Sequence, residues 1–193
     1  MQILALDSSQ LQACVCLIEN GKVIAETTGS TKLSHSQSLL NYIDQTLRGR
    51  KITEIDVFAV GIGPGSFTGI RIGVATQKAF AQALQKPMIV FSSLRALADQ
   101  SGKVVVKAYQ DLVFVGRFDS NSNQWVEETV HHEKFMSRAE YEAFQYEFIN
   151  TKGIATAVNE KIKLNEFKKY TDVHARYLRP SAAEIKWEQM QSE

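Results

Sequence analysis

The sequence predicts a mixed α/β fold: a β-sheet with helices on both faces, in two lobes, the second smaller and degenerate. Three observations predict it. Three short apolar segments separated by turn signals open the chain. Helix-periodic segments then alternate with single apolar runs up to about residue 100. Similar elements return after residue 101, shorter and less regular.

Taken in order, Ile3 to Leu6 reads as a buried strand and Ala13 to Ile18 as a second. Asn20-Gly21 is a hairpin signal, with Val23 to Thr28 as the return strand. Ser34 or Ser36 can cap a helix running to about Arg48, with Leu39, Leu40, Ile43 and Leu47 on its core face and Gly49 ending it. Asp56 to Ile62 is a strand leading into a Gly-rich loop, and a long helix follows from about Ile70 to Gln85. Pro87 closes the connection to a strand at Met88 to Phe91, after which Ser92 or Ser93 caps a short helix. The order β-β-β-α-β-α-β-α is also that of ribonuclease-H-like and actin-like ATPase domains, an analogy of fold that licenses no activity by itself.

The second half is read as strands at Val104 to Val106, Leu112 to Val115 and Trp125 to Val130, the last two separated by the turn cluster Asp119-Ser-Asn-Ser-Asn123. Ser137 to Tyr146 is a polar helix candidate, Ile154 to Val158 a buried strand and Glu160 to Tyr170 a helix. The expected division is an N-terminal lobe over 1–100 and a shorter lobe over 101–193 that ends in a helix or tail.

The 193 residues are 44% hydrophobic and 22% charged, which suits a globular chain with a real core. A net charge of +1 gives no global electrostatic footprint for nucleic acid, so any RNA contact is expected mainly through a partner. Cys14 and Cys16, two apart on a strand, point the same way and read as reduced thiols. No metal-ligand quartet is spaced along the chain. No signal segment or membrane-length apolar run is seen, so the expected location is cytoplasmic, with no membrane contact.

The informative segment is Gly61-Ile-Gly-Pro-Gly-Ser-Phe-Thr-Gly-Ile-Arg-Ile-Gly73. Glycines at this density between strand and helix let the backbone take conformations closed to other residues. Two readings stay open: amides and a helix start that bind an anion, or a crossover whose glycines permit close packing. The loop is neither a Walker loop nor a dinucleotide fingerprint. Gly65 or Gly69 is expected to have positive φ, and Ser66 and Thr68 complete the loop. Arg71 faces the positive end of a helix dipole, which calls for a compensating carboxylate, bound anion or partner acid, the alternative being a solvated arginine. Asp7, ending the first strand, lacks the partner acid that phosphoryl transfer requires and reads as a loop-capping residue. His131-His132, beside Glu127, Glu128 and Glu133, reads as a solvated charged edge.

Together, Ile3-Leu-Ala-Leu-Asp-Ser-Ser9, Leu33-Ser-His-Ser-Gln-Ser-Leu-Leu40, Gly63-Pro-Gly-Ser-Phe-Thr-Gly-Ile-Arg-Ile-Gly73 and Ala175-Arg-Tyr-Leu-Arg179 resemble, in order and spacing, the motifs of the TsaB (YeaZ) family. The resemblance is strong over about 1–100 and local near the end. Lys107-Ala-Tyr-Gln-Asp-Leu-Val-Phe114 departs from the family pattern. The resemblance implies an actin-like fold without cofactor or catalysis of its own: a scaffold for the threonylcarbamoyl-transferring TsaD, joined by the ATPase TsaE, in modifying tRNA. It implies that tRNA is met mainly through that complex, and a homodimer is possible in isolation. Where TsaD carries a metal-binding His-x-x-x-His, this chain has Ser93 and Leu97. The alternative reading is an actin-like ATPase or glycoprotease-like hydrolase, with Ser66 as the conceivable nucleophile.

Helical geometry marks the expected partner surface. The long helix is apolar or small nearly all round, more than one sheet face can cover, and the preceding helix carries Ser38 and Tyr42 on its shoulder. The expected interface residues are His35, Ser38, Tyr42, Arg71, Val74, Ala75 and Lys78.

Overall fold

The computed structural model describes residues 1–30, 35–98, 103–108, 111–118, 124–131, 149–178 and a few isolated positions. Strands β1 (Gln2–Asp7), β2 (Gln12–Glu19) and β3 (Lys22–Ser30) form an antiparallel meander. Asn20 and Gly21 make its first tight turn with φ of 50° and 78°, the pair of positive values a type I′ hairpin needs. Helix α1 (His35–Leu47) follows, then a short 3₁₀ turn and β4 (Val57–Gly61). Helix α2 (Phe67–Leu84), β5 (Met88–Phe91) and α3 (Ser93–Leu97) complete this part. β4 and β5 are parallel to β1, giving a five-stranded sheet of order β3-β2-β1-β4-β5. This is the mixed α/β, actin-like arrangement that the element order predicts.

The central strands are apolar throughout their interiors, between polar end residues such as Gln2, Asp7, Gln12 and Glu19, because both faces are covered. Leu4, Leu6, Val15, Leu17, Phe58 and Val60 point to one face, where Leu39, Ile43 and Leu47 of α1 and Ile70, Val74 and Ala81 of α2 pack on them. Ile3, Ala5, Cys14, Cys16, Ala59 and Ile89 point to the other, covered by Ala96 of α3 and by α4 (Thr151–Lys163). The two cysteines do share a face, both as buried free thiols.

Three further strands, β6 (Lys103–Lys107), β7 (Leu112–Phe118) and β8 (Trp125–His131), form a separate antiparallel sheet in order β6-β7-β8. Val104 and Phe114 pack against Leu94 of α3, and Trp125 and Leu178 border that contact.

Four expectations are corrected. Ile154 to Val158 is not a strand; it lies inside α4, with Asn150 as N-cap accepting from the Gly153 amide at 2.8 Å. Its buried residues Thr151, Ile154, Ala155 and Val158 have helical spacing, which the β-branched content disguises. The helix expected over Glu160 to Tyr170 ends at Lys163, and Lys168 instead forms an antiparallel bridge with Met88 at the edge of the first sheet. α2 begins at Phe67 rather than Ile70, capped by the Ser66 hydroxyl. Leu40 is 52% exposed; Leu39, Ile43 and Leu47 carry the core stripe of α1 without it. The helix expected over 137–146 and the last dozen residues lie almost wholly outside the described residues.

Candidate functional site

The Gly-rich loop packs at the C-terminal ends of β1 and β4, and its glycines clear particular atoms. A Cβ at Gly61 would lie 1.8 Å from Asp7 Oδ2, and one at Gly65 would lie 2.3 Å from the Ser9 carbonyl. At Gly69 it would meet the Ser8 carbonyl at 2.0 Å, and at Gly73 the Ser8 hydroxyl at 2.4 Å. Gly63, at φ 106°, would meet both the Arg176 carbonyl and Ile70 at 2.7 Å. The pattern is therefore a packing seam against Asp7-Ser8-Ser9. Gly65 has the expected positive φ, at 156°. Gly69 is helical instead, and its constraint is steric.

Three amides of the loop and helix start, those of Gly63, Ser66 and Gly69, are bonded within the chain. Ser66 N–H donates to the Ser9 carbonyl at 2.6 Å, and Gly63 N–H to Ser93 Oγ at 3.1 Å. Gly69 N–H donates to Ser66 Oγ at 3.2 Å, so Ser66 is a helix cap, with exposed Thr68 in the first turn. Ser8 Oγ donates to the Gly69 carbonyl at 2.8 Å, closing the seam from the other side.

Asp7 is buried beneath this seam. Its Oδ1 accepts from the Ser9 amide at 2.8 Å, the Asx turn expected of a capping aspartate. Its Oδ2 accepts from Ser93 Oγ at 2.6 Å. Burial pushes the carboxyl above the ordinary aspartate range, while the bonds from Ser9 and Ser93 pull it back down. Ser93 thus bridges Asp7 and Gly63, and Leu97, four residues on, is a half-buried packing residue of α3. Among the described residues no group of His, Cys, Asp and Glu is disposed to hold a metal ion.

Residues 173–178 cross the N-terminal half of α2 as a strap. Val173 is buried in the core, and the Arg176 amide donates to the Ile62 carbonyl at 2.8 Å. Tyr177 stacks on Phe67 with ring centroids 4.4 Å apart. Arg71 lies 3.9 Å over the Phe67 ring and donates to the Tyr177 hydroxyl at 2.8 Å. Its compensation is a pair of aromatic rings, not a carboxylate. Lys78 is also tied inward, donating to the Val173 carbonyl at 2.9 Å.

The remaining candidate residues divide by face. Ala75 is exposed, in line with Thr68, Arg71, Ala79 and Gln82 on the outward side of α2. Val74 points the other way, buried in the core, and does not belong to this surface. Tyr42 and Ser38 are half-buried on α1. The Tyr42 ring fills the space a Cβ at Gly29 of β3 would occupy. His35 is the first residue of α1, and its side chain lies outside the description.

Glu127 corrects the expectation of a solvated edge. Its carboxylate is 1% exposed and accepts from Arg176 at 2.8 Å, from the Trp125 indole and from the Ser92 hydroxyl. It ties β8 to the cap of α3 and to the strap. Gln77, which interrupts the apolar surface of α2 in sequence, is fully buried and donates to the carbonyls of Leu4 and Ala59 at 3.0 and 3.1 Å, pinning α2 across β1 and β4. Neither role has a sequence signal, because every partner but Trp125 is distant along the chain.

Comparison with known proteins agrees with the motifs. A family model described as "TsaD: tRNA N6-adenosine threonylcarbamoyltransferase" matches residues 22–111. The "tRNA threonylcarbamoyladenosine biosynthesis protein TsaB" of Escherichia coli (strain K12) is 36% identical over 100 residues, covering 51% of this chain and 43% of that relative, so the match spans less than half of it. The protein of the same name from Haemophilus influenzae is 29% identical over 177 residues, covering 87% of this chain and 71% of the relative. The solved structure of YeaZ from Pseudomonas aeruginosa superposes with a TM-score of 0.77 at 21% identity, covering 92% of this chain and 99% of that one, which shows a common fold. The four motifs, the relatives named TsaB and this shared fold agree in what the chain is similar to: proteins of the TsaB (YeaZ) family.

Proposed function

We propose that this chain is a non-catalytic subunit in the biosynthesis of threonylcarbamoyladenosine on tRNA, acting as a scaffold that binds and activates a TsaD-type transferase. The reading brings to this chain what the TsaB relatives are named for. The observation that carries the non-catalytic part is the closed seam. Asp7, Ser9, Gly63 and Ser93 are linked by hydrogen bonds, the Ser66 and Gly69 amides are also bonded within the chain, and the space beside the loop glycines is filled by the chain's own atoms. A phosphate or nucleotide at this place would have to displace several buried hydrogen bonds, each costing about 1 kcal/mol or more.

In this reading the docking surface is the outward side of α2 with the shoulder of α1. Ala75 and Ala79 allow close helix approach, Arg71 and Lys78 border them, and the exposed Leu40 adds apolar area. A second copy could take the same surface when the transferase is absent. A TsaE-type ATPase would join the assembled pair, and tRNA would be met mainly through the complex. The site of action is the cytoplasm. Residues 1–100 would form the docking lobe and 101–193 the smaller second lobe, although α4 from the latter covers the first sheet.

The test is co-purification with the TsaD-type protein of the same cell. Ala75→Glu and Ala79→Glu should each abolish the complex and any homodimer while the monomer keeps its melting temperature. Tyr42 is a poorer probe because its ring fills the space at Gly29. Unchanged complex formation by both variants would sink the surface. Turnover of ATP or casein by the isolated chain, lost in Asp7→Ala or Ser66→Ala, would overturn the scaffold reading.

A further inference from the structure

The ten residues from Lys161 to Tyr170 hold four lysines and one glutamate, in a chain whose net charge is only +1. The glutamate is already used: Glu166 accepts from Lys161 at 2.7 Å. Lys163, Lys168 and Lys169 are exposed, and no carboxylate among the described residues pairs with them. The fold gathers them. α4 ends at Lys163, the chain reverses through Leu164 and Asn165 (φ 55°), and Lys168 bridges to Met88. That bridge brings the half-buried Lys86, two residues before Met88, beside the segment 168–170. Two apolar side chains lie exposed among the lysines, Leu164 at 65% and Phe167 at 37%. A lysine guarding a sheet edge would account for Lys168, but not for an exposed aromatic ring set between unpaired cations.

We propose that Lys86, Lys163, Lys168 and Lys169, with Phe167 between them, form an RNA-contact surface for a loop or single-stranded segment. The ammonium groups would take successive phosphates and the ring one unstacked base. The choice of RNA over other polyanions rests on the tRNA function proposed above. The patch lies at the opposite end of the first sheet from the Gly-rich seam, next to the C-terminal end of α2. RNA held there would run past a partner docked on α2 without competing for its surface.

The experiment is a salt titration of tRNA-transcript binding to the full-length chain, comparing the parent with Lys163→Gln/Lys168→Gln/Lys169→Gln and with Phe167→Ala. Each phosphate contact contributes roughly 0.7–0.9 to the slope of log K against log salt. The triple variant should therefore lower the slope by about 2 to 3 and weaken binding at 0.1 M salt on the order of a hundredfold. Phe167→Ala should weaken it about tenfold at unchanged slope. All positions are exposed, so parent-like melting is the folding control. A triple variant with parent-like affinity and slope overturns the proposal. So does a parent that retains no RNA at low salt, or one that binds phosphatidylserine vesicles in preference to RNA. Co-purification with the TsaD-type protein separates the two readings. Loss of RNA affinity with the complex intact supports the patch. RNA binding governed by the patch in a chain that never pairs with the transferase leaves the patch standing and removes the scaffold reading.

Discussion

Gly69→Ala should destabilise the protein, although it replaces glycine by alanine inside a helix. In an exposed helix interior that exchange stabilises by about 1 kcal/mol. At Gly69 the new methyl would sit 2.0 Å from the Ser8 carbonyl oxygen, a backbone atom in the packed turn after β1. The turn cannot easily retreat, because the Ser8 hydroxyl bonds to Gly69 O and the Ser9 carbonyl receives the Ser66 amide. Overpacking of this kind costs about 1–3 kcal/mol. Loss of the two buried hydrogen bonds adds about 1 kcal/mol each. Against the propensity gain, the net destabilisation is about 2–4 kcal/mol, or about 5–15 °C in melting temperature for a chain of this size. The assay is thermal and urea unfolding of parent and variant, with Ala79→Gly on the exposed side of the same helix as calibration, expected to cost about 1 kcal/mol. A Gly69→Ala protein as stable as the parent, or more so, would refute the packing-seam account.

Other perturbations test the remaining contacts. The folded pKa of Asp7 is raised by burial, so its contribution to stability is fully present below its ordinary unfolded value near 3.8 and is lost as pH rises through the folded value. The stability of Asp7→Asn relative to the parent should therefore rise with pH above about 4, and a difference flat from pH 4 to 7 in urea melts would contradict this. Cys14 is pushed up to about 12 by burial and by the charges of Asp7 and Glu26, and Cys16 is also raised. Both should resist a disulfide reagent at pH 8 in the folded chain and react fully in denaturant; rapid labelling of the native protein would show that β2 is not sealed. Glu127→Gln should cost about 1–2 kcal/mol, a charged hydrogen bond discounted for the half-exposed Arg176. A double-mutant cycle with Arg176→Ala should give coupling of the same size, and additive effects would argue that the two side chains act independently.

What was legible in the sequence is what has a local cause. Strands β1, β2, β4 and β5 announce themselves because both faces of the sheet are covered there, and the edge strand β3 because the turn at Asn20-Gly21 needs particular residues. α4 was misread because five residues of Ile-Ala-Thr-Ala-Val look like a strand in a short window. Its helical phase emerges only when Thr151, Ile154 and Val158 are seen to bury one side. The Gly-rich segment was recognisable as special, but its role was not, since the atoms the glycines clear lie sixty residues away in Asp7, Ser8 and Ser9. The same limit applies to α2. A helix that is small or apolar all round does not say which side faces the sheet, so Val74 and Ala75 look equivalent until Gln77, bonded to Leu4 and Ala59, fixes the rotation. That one buried amide turns Val74 into the core and leaves Ala75 outside, in line with Arg71 and Ala79. Replacing Gln77 would therefore disturb the candidate docking surface without touching it, which is why Ala75 and Ala79 are the cleaner probes of partner binding.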